Sequence, residues 1–505
     1  MLPAVSIVEN LRRSAATFPD KAALIASEQS ISYAQLWRRS QAVTAYLQAD
    51  GLAVGERVAI VMENSHDYVA IYYGVLAAGG IAVTLAAAAK QRDFAHWLSH
   101  CDPRYVFGAA ANVELGAAMA ASRAPSRLID AGDGEILGGI YDFVQPLASG
   151  VPLAAAMPAS ILYTSGTTAA PKGVLLSHGN LANNTASIVD YLGLRPSDSI
   201  VSVLPFYYSY GNSVLHTHIA VGATVILQTN LVYPHLVVEE LARRRVTGFA
   251  GVPSTYALLL ARVELSKYDL SALRYMTQAG GAMAPAMIRR LRAAVPKAEL
   301  FVMYGQTEAT ARLSFLPPRQ LETKLGSVGV SIPGVDLQVR LDDGTLAQVR
   351  EVGEVWARGP NVMLGYWRND AATAATVRDG WLRTGDLGYM DEDDYLFLSG
   401  RRSDMIKTGA HRVHPQDVEE AILELSGVAE AAVVAIPDET LGEAIKAFVV
   451  LAEGATIDEQ VIKRHCRASL ANHKVPKHVE LRDHLPKTAS GKVLRRQLLE
   501  PSQST

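Results

Sequence analysis

Cysteine is scarce in this 505-residue chain, which contains only Cys101 and Cys466. The two residues are far apart in the sequence and form no Cys-x-x-Cys pair, so we expect neither a disulfide framework nor a structural zinc site. Because structural disulfides belong to oxidising compartments, their expected absence favours a reducing, cytoplasmic location.

An excess of charge of either sign is also missing. Lysine and arginine total 47, aspartate and glutamate total 50, and the formal net charge is −3. Proteins that bind nucleic acid usually carry a basic face or stripe, so we expect no nucleic-acid partner. The composition, 49% hydrophobic and 19% charged, is that of an ordinary globular protein.

Long hydrophobic runs are rare. At the N-terminus, Glu9 and Arg12 lie where a signal peptide needs its apolar core. One uncharged run, residues 68–89, has about the length that spans a bilayer. Gly79 and Gly80 divide it into a helical half and a β-branched half. This pattern favours a buried helix followed by a buried strand, and we expect no integral membrane segment.

Strand-like and helix-like patterns alternate along most of the chain. Strands are predicted at 57–62, 81–85, 224–228 and 246–252, with helical segments between them. This alternation indicates an α/β fold with layered subdomains and mainly parallel sheets.

The chain is too long for one hydrophobic core, so the sequence predicts more than one domain. A turn-rich, charge-dense passage near 400–404 separates a large N-terminal domain, residues 1–400, from a small, mobile α+β lid domain, residues 401–505. In the lid, a helix from Pro415, two strands and a second helix are predicted.

Residues 164–173 read TSGTTAAPKG, a stretch dense in hydroxyl groups, glycine and lysine. A Walker loop ends in Gly-Lys-Ser/Thr and continues into a helix, whereas this stretch ends in Pro-Lys-Gly and lies between two predicted strands. A hairpin loop of this composition is able to bind polyphosphate through backbone N–H groups and hydroxyls. Taken alone, the same composition is also typical of an exposed turn.

Four further stretches follow in order: YGQTEA at 304–309, WLRTGD at 381–386, Gly400-Arg401 with Lys407, and LPKTASGK at 485–492. Together with the hydroxyl-rich loop, their order and spacing resemble the AMP-forming adenylating superfamily. That superfamily contains acyl-CoA synthetases, adenylation domains of nonribosomal peptide synthetases, and firefly luciferase. The resemblance covers essentially the whole chain. Within the superfamily, the sequence is most similar in character to the acyl-CoA synthetases.

The resemblance implies a two-step reaction. A carboxylic acid attacks the α-phosphate of ATP to give an acyl-adenylate and pyrophosphate, and a thiol then accepts the acyl group. The implied cofactors are ATP, Mg²⁺ and CoA, and the acceptor is expected to arrive in trans. Two alternatives stay open here: a phosphopantetheine thiol on a separate carrier protein, and luciferase-like oxidation of the adenylate.

The same resemblance implies roles at the nucleotide. Glu308 would be the Mg²⁺ ligand, Thr307 would hydrogen-bond the α-phosphate, and Tyr304 would stack on adenine. Asp386 would accept the ribose hydroxyls, with Arg401 nearby. The full set of implied nucleotide-binding residues is Thr164, Ser165, Gly166, Thr167, Thr168, Lys172, Gly280, Gly281, Ala282, Tyr304, Gly305, Asp386 and Arg401.

Three residues of the small domain are implied to act in catalysis or in domain movement. Lys492 would bridge the attacking carboxylate and the α-phosphate, since its ammonium is a mobile point charge. Lys407 matches the lysine that relatives use in the second step. Ser403 stands at the hinge position, where backbone freedom matters more than the side chain. Because Lys492 is far along the chain from the phosphate loop, the lid must close before the first step.

The acid pocket is expected around 204–212, around 278–283 and after Glu308. No aspartate lies between Val203 and His216 to pair with an α-ammonium, so an aliphatic or aromatic acid is favoured over an amino acid. The implied pocket residues are Tyr207, Tyr208, Tyr210, Gly211, Met283 and Arg312. Tyr207 fits a place in the core equally well, and for Arg312 a surface ion pair is favoured over a substrate contact.

Two positions depart from the family pattern. Ala169 stands in the phosphate loop where relatives usually have glycine, and alanine excludes backbone conformations that glycine permits. Ala410 stands where relatives usually have glycine beside the channel for the pantetheine thiol, with Gly409 one place earlier. We expect Ala169 to tune the loop and Ala410 to affect the use of free CoA.

Overall fold

A computed structural model of the protein describes residues 5–122, 126–143, 151–164, 172–228, 231–409, 411–488, 493–495 and 497–499. Several residues named above lie outside this part of the chain: Ser165, Gly166, Thr167, Thr168, Ala169, Ala410 and Lys492.

Several helices begin where a side chain caps the free backbone N–H groups. The hydroxyls of Ser32 and Ser177 accept from N–H groups three residues later, and the side chains of Gln35 and Asn180 accept in return, which makes two capping boxes. The α-helices of the described residues are α1 (Ile7–Thr17), α2 (Tyr33–Ala49), α3 (His66–Ala77), α4 (Gln91–Cys101), α5 (Val113–Ala121), α6 (Gly134–Tyr141), α7 (His178–Leu192), α8 (Ser209–Val221), α9 (Pro234–Arg243), α10 (Pro253–Arg262), α11 (Pro285–Ala294), α12 (Asp370–Thr376), α13 (Pro415–Leu423) and α14 (Glu459–Ser469).

The strands alternate with these helices in the first part of the chain and follow one another directly later on. They are β1 (Ala22–Ala26), β2 (Gln29–Ser32), β3 (Arg57–Val61), β4 (Ile81–Leu85), β5 (Tyr105–Gly108), β6 (Arg127–Asp130), β7 (Pro158–Thr164), β8 (Lys172–Ser177), β9 (Ser199–Ser202), β10 (Thr224–Leu227), β11 (Gly248–Gly251), β12 (Tyr275–Gln278), β13 (Glu299–Tyr304), β14 (Ser314–Leu316), β15 (Val330–Ser331), β16 (Asp336–Arg340), β17 (Gly353–Arg358), β18 (Gly365–Tyr366), β19 (Val377–Arg378), β20 (Trp381–Met390), β21 (Leu396–Arg401), β22 (Ile406–Thr408), β23 (His411–Val413), β24 (Val428–Asp438), β25 (Gly442–Leu451) and β26 (His478–Leu481).

Two large sheets are mainly parallel. The first has the order β15-β14-β13-β12-β11-β9-β10-β1-β2 and is parallel from β13 to β1. The second has the order β18-β8-β7-β4-β3-β5-β6 and is parallel from β7 to β6. Parallel neighbours need long crossover connections, which the helices supply. The predicted α/β class is therefore confirmed, and four predicted strands correspond to β3, β4, β10 and β11.

The uncharged run at 68–89 folds as the sequence predicts. It forms most of α3 and all of β4, and the turn between them includes Gly79 with a φ of +79°. All five residues of β4 are buried. Within the described residues, we find no helix that is both long enough and apolar enough to span a bilayer.

Two smaller sheets follow. The third contains β16, β17, β19, β20 and β21, and the fourth contains β22 to β26. The fourth sheet has its own apolar core, in which Ile406, Val418, Val433, Val449 and Ile462 are buried. Helices α13 and α14 contribute to that core, so this part of the chain is a small α+β unit as predicted. The expected boundary at 400–401 falls at the end of β21 and stays a prediction.

The hydroxyl-rich stretch begins and ends on a hairpin. Strands β7 and β8 are antiparallel, and Thr164 and Lys172 form the last pair in their register. Strand β18 adds to the outer side of β8, where Tyr366 lies opposite Val174. The two predicted strands are thus present on either side of residues 165–171, which lie outside the described residues.

Candidate active site

Several of the predicted nucleotide residues lie where strands β12 and β13 end. Gly280 and Gly281 follow β12, and Gly305 follows β13. In open α/β sheets, the carboxyl ends of parallel strands are the usual place for ligands. The backbone here is closely packed, because a Cβ atom on Gly305 would lie 2.1 Å from the carbonyl oxygen of Ala311. Gly280 has a φ of +84°, a conformation that favours glycine.

Asp386 lies at the centre of the first group of predicted residues. Tyr304 donates its hydroxyl hydrogen to Oδ2 of Asp386 at 2.6 Å, and Arg401 donates from Nε to Oδ1 at 3.1 Å. The Asp386 side chain is buried, and its backbone N–H donates to the hydroxyl of Thr384. Burial and the adjacent carboxylate raise the pKa of the Tyr304 hydroxyl well above its ordinary value, so the hydroxyl stays protonated.

Tyr304 itself is mostly enclosed. Its ring packs in a core with Ala309, Leu313 and Val355, and only 7% of its surface is exposed. The structure therefore brings Tyr304, Asp386 and Arg401 together, and the stacking of adenine on Tyr304 stays a prediction.

Glu308 lies in the second group. Its Oε1 accepts a hydrogen bond from the Tyr366 hydroxyl at 2.8 Å. The Lys172 ammonium lies 4.7 Å from the centroid of the same Tyr366 ring. Because β18 pairs with β8, Tyr366 connects the base of the hydroxyl-rich hairpin to the carboxylate of Glu308.

A cavity of about 230 Å³ opens beside Glu308 and Tyr366. Two buried donors on its wall, Gln306 Nε2 and Arg383 Nε, have no acceptor within the described part of the chain. Unpaired buried donors are costly, so these two fit an anionic ligand. The cavity is lined by Gln306, Glu308, Glu354, Tyr366, Ala375, Thr376, Arg383, Thr384 and Gly385.

Glu308 also fits a magnesium ion bound with a polyphosphate. Mg²⁺ typically takes one or two protein carboxylates and completes its coordination with water and substrate phosphates. The residues that the structure describes contain no cluster of three or more His, Cys, Asp or Glu side chains placed to hold a metal. A single carboxylate beside a phosphate site is consistent with that kind of coordination.

Thr307 contacts the first residue of helix α8. The Oγ1 atom of Thr307 is 3.2 Å from the Ser209 hydroxyl. The residue after Ser209, Tyr210, bonds through its own hydroxyl to Oγ1 of Thr277 at 2.9 Å. A Cβ atom on Gly211 would lie 2.2 Å from the Pro205 carbonyl oxygen, which explains why this turn of the helix has glycine.

The remaining residues of the predicted acid pocket are partly or fully buried. Met283 is 6% exposed and Tyr207 is 9% exposed. The rings of Tyr207 and Tyr208 lie 4.6 Å apart between centroids, beside the first turn of α8. Their roles toward an acid stay predictions.

Arg312 is not on the surface, so the favoured surface ion pair is wrong. Its side chain is 3% exposed, and its guanidinium lies 4.3 Å from the centroid of the Tyr210 ring. The amides of Asn184 and Asn361 donate to the Arg312 carbonyl oxygen. These bonds and the tight loop after Gly305 hold the backbone so that the guanidinium enters the core.

Two predicted residues of the small domain, Lys407 and Ser403, contact other residues of that domain. Lys407 is exposed on β22, and its backbone N–H donates to Oε2 of Glu443 at 2.6 Å. Ser403 is exposed in the short turn after β21, and its hydroxyl donates to Asp404 at 2.9 Å. Arg495 lies 3.6 Å from the same Asp404 carboxylate.

Comparison with known proteins decides the family. Residues 11–367 match the family model described as AMP-binding enzyme, and residues 417–492 match the AMP-binding enzyme C-terminal domain. The chain belongs to the AMP-binding enzymes. This result agrees with the resemblance in the motifs.

Several similar proteins are named as CoA ligases. A long-chain-fatty-acid–CoA ligase of Bacillus subtilis is 32% identical over 99% of this chain and 95% of its own length. An indoleacetate–CoA ligase of Aromatoleum aromaticum is 33% identical over 97% of this chain and 96% of its own. The solved anthranilate CoA ligase AuaEII, in complex with anthranoyl-AMP, has a TM-score of 0.92 at 26% identity and covers 99% of this chain and 97% of its own.

Three side chains of the candidate site in this AMP-binding enzyme were not singled out from the sequence. Tyr366 reaches Glu308 through the pairing of β18 with β8, and Gln306 and Arg383 supply the unpaired donors. Gln306 and Arg383 lie inside the motifs quoted above, so the motifs already contained a signal for them. Tyr366 had no local signal, because the pairing joins distant parts of the chain.

Proposed function

We propose that this AMP-binding enzyme is an ATP-dependent acid–CoA ligase. It activates a carboxylic acid as an acyl-adenylate, releases pyrophosphate, and transfers the acyl group to the thiol of CoA. The observation that carries the proposal is the cavity beside Glu308, which is also lined by the two residues with unpaired donors and by Tyr366, the ring that Lys172 contacts. The CoA ligase names of similar proteins, and the anthranoyl-AMP bound to one of them, support the same reaction.

The nucleotide is held at its two ends by different groups. Asp386 accepts the ribose hydroxyls, and Tyr304 and Arg401 keep its carboxylate in place through the bonds described above. Glu308 would hold Mg²⁺, which neutralises phosphate charge when it is bound. Thr164 and Lys172 stand at the base of the hairpin loop that binds the β- and γ-phosphates. The other loop residues with that role are Ser165, Gly166, Thr167 and Thr168, outside the described residues.

In the first step, a carboxylate oxygen of the acid attacks the α-phosphorus, and the bond from that phosphorus to the oxygen of the leaving pyrophosphate breaks. Two anions approach each other, so donors must neutralise the charge that develops. Thr307 donates to the α-phosphate from its position beside Ser209. Lys492, outside the described residues, provides the mobile positive charge between the two reacting groups.

In the second step, the CoA thiolate attacks the acyl carbon, and the bond from that carbon to the AMP oxygen breaks. Lys407 acts in this step, after the small domain has rotated about Ser403. We place the boundary between the two domains at residues 400–401. Lys407 is exposed on β22, so its ammonium is accessible to a bound acyl-adenylate in another orientation of the small domain.

The acid is an aliphatic or aromatic carboxylic acid without an α-ammonium. The similar proteins named above act on a long-chain fatty acid, indoleacetate and anthranilate, so they support a broad class and no single acid. The absence of an acidic side chain among residues 204–215 supports the same class, since a buried ammonium needs a charged partner.

Analysis of the products tests this function. The protein is incubated with ATP, Mg²⁺, CoA and a panel of carboxylic acids. We expect AMP and pyrophosphate in equal amounts, together with an acyl-CoA thioester, and only when an acid is present. Acid-dependent formation of ADP and phosphate would contradict the proposal. Adenylate formation without a thioester, even with CoA present, would point instead to a carrier protein as the acceptor, and oxygen uptake would point to oxidation.

A further inference from the structure

The buried charges of the described residues are paired, with one exception. Among the described residues, five Asp, Glu, Lys or Arg residues are buried. Each buried carboxylate pairs with a lysine or an arginine at 2.7–3.1 Å. Arg312 is the fifth, and in that part of the chain no carboxylate pairs with it. The carboxylates and their partners are Asp198 with Arg274, Glu354 with Arg383, Asp386 with Arg401, and Asp391 with Lys324.

The contacts of the Arg312 guanidinium compensate its charge poorly. Nε donates to the Met303 sulfur at 3.3 Å, and Nη1 donates to the Ala311 carbonyl oxygen at 3.2 Å. A thioether sulfur is a weak acceptor. The guanidinium also interacts with the Tyr191 hydroxyl and with the face of the Tyr210 ring, both of which are neutral groups. A buried guanidinium without an anion loses its hydration and gains little in return. The folded protein therefore retains a binding capacity for an anion or an oxygen acceptor at this point.

Arg312 lines a small internal cavity beside helix α8. Ser213, Val214 and Thr217, which share one face of helix α8, line the same cavity. Helix α8 begins at Ser209, whose hydroxyl lies 3.2 Å from Thr307. The next residue of the helix, Tyr210, carries the ring against which the Arg312 guanidinium lies. An acid that has its reacting carboxylate at Thr307 and extends along α8 would bring its far end toward Arg312.

The hydroxyl groups on this path are already engaged. Ser213 donates to the Tyr210 carbonyl oxygen, Thr217 donates to the Ser213 carbonyl oxygen, and the Tyr210 hydroxyl bonds to Thr277. The cavity has a volume of about 10 Å³, room for about one water molecule. Met303 lies on its wall, and the flexibility of a methionine side chain lets a small ligand group enlarge the space.

We propose that Arg312 determines the choice of acid by binding a second oxygen acceptor at the end of the substrate remote from the reacting carboxylate. The inference rests on the proposed function and narrows its substrate class to acids with such a group, of which a second carboxylate is the strongest partner for a guanidinium. A plain alkyl or aryl end leaves the guanidinium without compensation and is a poorer substrate.

Matched pairs of acids test this inference. Each pair has the same skeleton and differs only in whether the far end carries a carboxylate or a methyl group: glutarate and pentanoate, adipate and hexanoate, suberate and octanoate, terephthalate and 4-methylbenzoate. The kcat/KM for pyrophosphate release is measured for each acid. For the wild-type protein we expect a preference of about tenfold or more for the dicarboxylate in at least one pair.

Two substitutions separate recognition from a structural role. Arg312→Met keeps a flexible, unbranched side chain without the guanidinium or its charge, and it should abolish or reverse the preference. Arg312→Lys keeps the charge without the planar fork, and it should keep part of the preference. Arg290→Met removes an exposed charge from helix α11 and should leave every ratio unchanged. Circular dichroism and thermal melting show whether each variant is folded.

Two results would overturn the inference while the proposed function stands. One is a wild-type protein that favours the methyl-terminated acid in every pair. The other is an Arg312→Met variant in which kcat/KM falls by the same factor for both acids of the preferred pair. An equal loss for both acids indicates a purely structural role. If Arg312→Met does not fold, the wild-type ratios and Arg312→Lys decide. A protein that releases no AMP or pyrophosphate with any acid contradicts the proposed function itself.

Discussion

Replacing Lys492 with alanine should lower the rate of acid-dependent pyrophosphate release by about 10²–10³-fold. In the proposed mechanism the lysine supplies positive charge where the carboxylate and the α-phosphate meet, and that charge matters more in the transition state than in the bound ground state. The KM for ATP and the melting temperature should therefore change little. Pyrophosphate release in single turnovers measures the chemical step, and a binding titration of ATP measures binding, so the two measurements separate a catalytic effect from a binding effect.

Lys487 offers a matched control for this variant. It lies in the same motif, five residues earlier, and pairs with Glu430 at 2.6 Å within the small domain. Lys487→Ala removes the same charge from the same segment, so it should keep most of the wild-type rate. Equal losses in the two variants, or a wild-type rate in Lys492→Ala, would mean that the catalytic charge is elsewhere.

Glu308→Gln should lower kcat/KM for ATP by about 100-fold and raise the Mg²⁺ concentration that gives half-maximal rate. The amide keeps the size of the side chain and an oxygen that accepts from Tyr366. It loses the negative charge, which is the property that a hard divalent cation requires of its ligand. Initial rates over a matrix of ATP and Mg²⁺ concentrations measure both changes.

Glu354→Gln is the control for charge in the same cavity. Glu354 also lines the cavity, but its carboxylate already pairs with Arg383 at 2.8 Å. We expect this variant to keep the wild-type requirement for Mg²⁺, whatever its effect on the rate. If both variants raise the Mg²⁺ requirement equally, the effect reflects the total negative charge of the cavity, and Glu308 is not the metal ligand.

The local patterns of the sequence were enough to predict much of the fold. The β-branched runs at β3, β4 and β10 are short and bounded by turn residues, so their periodicity indicates strands without knowledge of the rest of the chain. The hairpin of β7 and β8 was predicted for the same reason. These strands are determined mainly by residues adjacent in the sequence, so local patterns are sufficient to predict them.

Arg312 and Tyr366 show what local patterns do not contain. Arginine is usually exposed, so a surface place was the favoured prediction, yet a backbone approach at Gly305 and two asparagine amides turn Arg312 inward. Tyr366 contacts Glu308 because β18 pairs with β8 across a long loop of chain. Both outcomes depend on tertiary contacts between distant residues, which periodicity and composition do not report.

The most direct test of the central claim follows an oxygen atom. The reaction is run with ATP, Mg²⁺, CoA and an accepted acid whose carboxylate is labelled with ¹⁸O. If the carboxylate attacks the α-phosphorus, one labelled oxygen stays on phosphorus when CoA takes the acyl group, and mass spectrometry should find one ¹⁸O atom in each AMP. Label in inorganic phosphate or pyrophosphate, or AMP without label, would contradict adenylate formation by this protein.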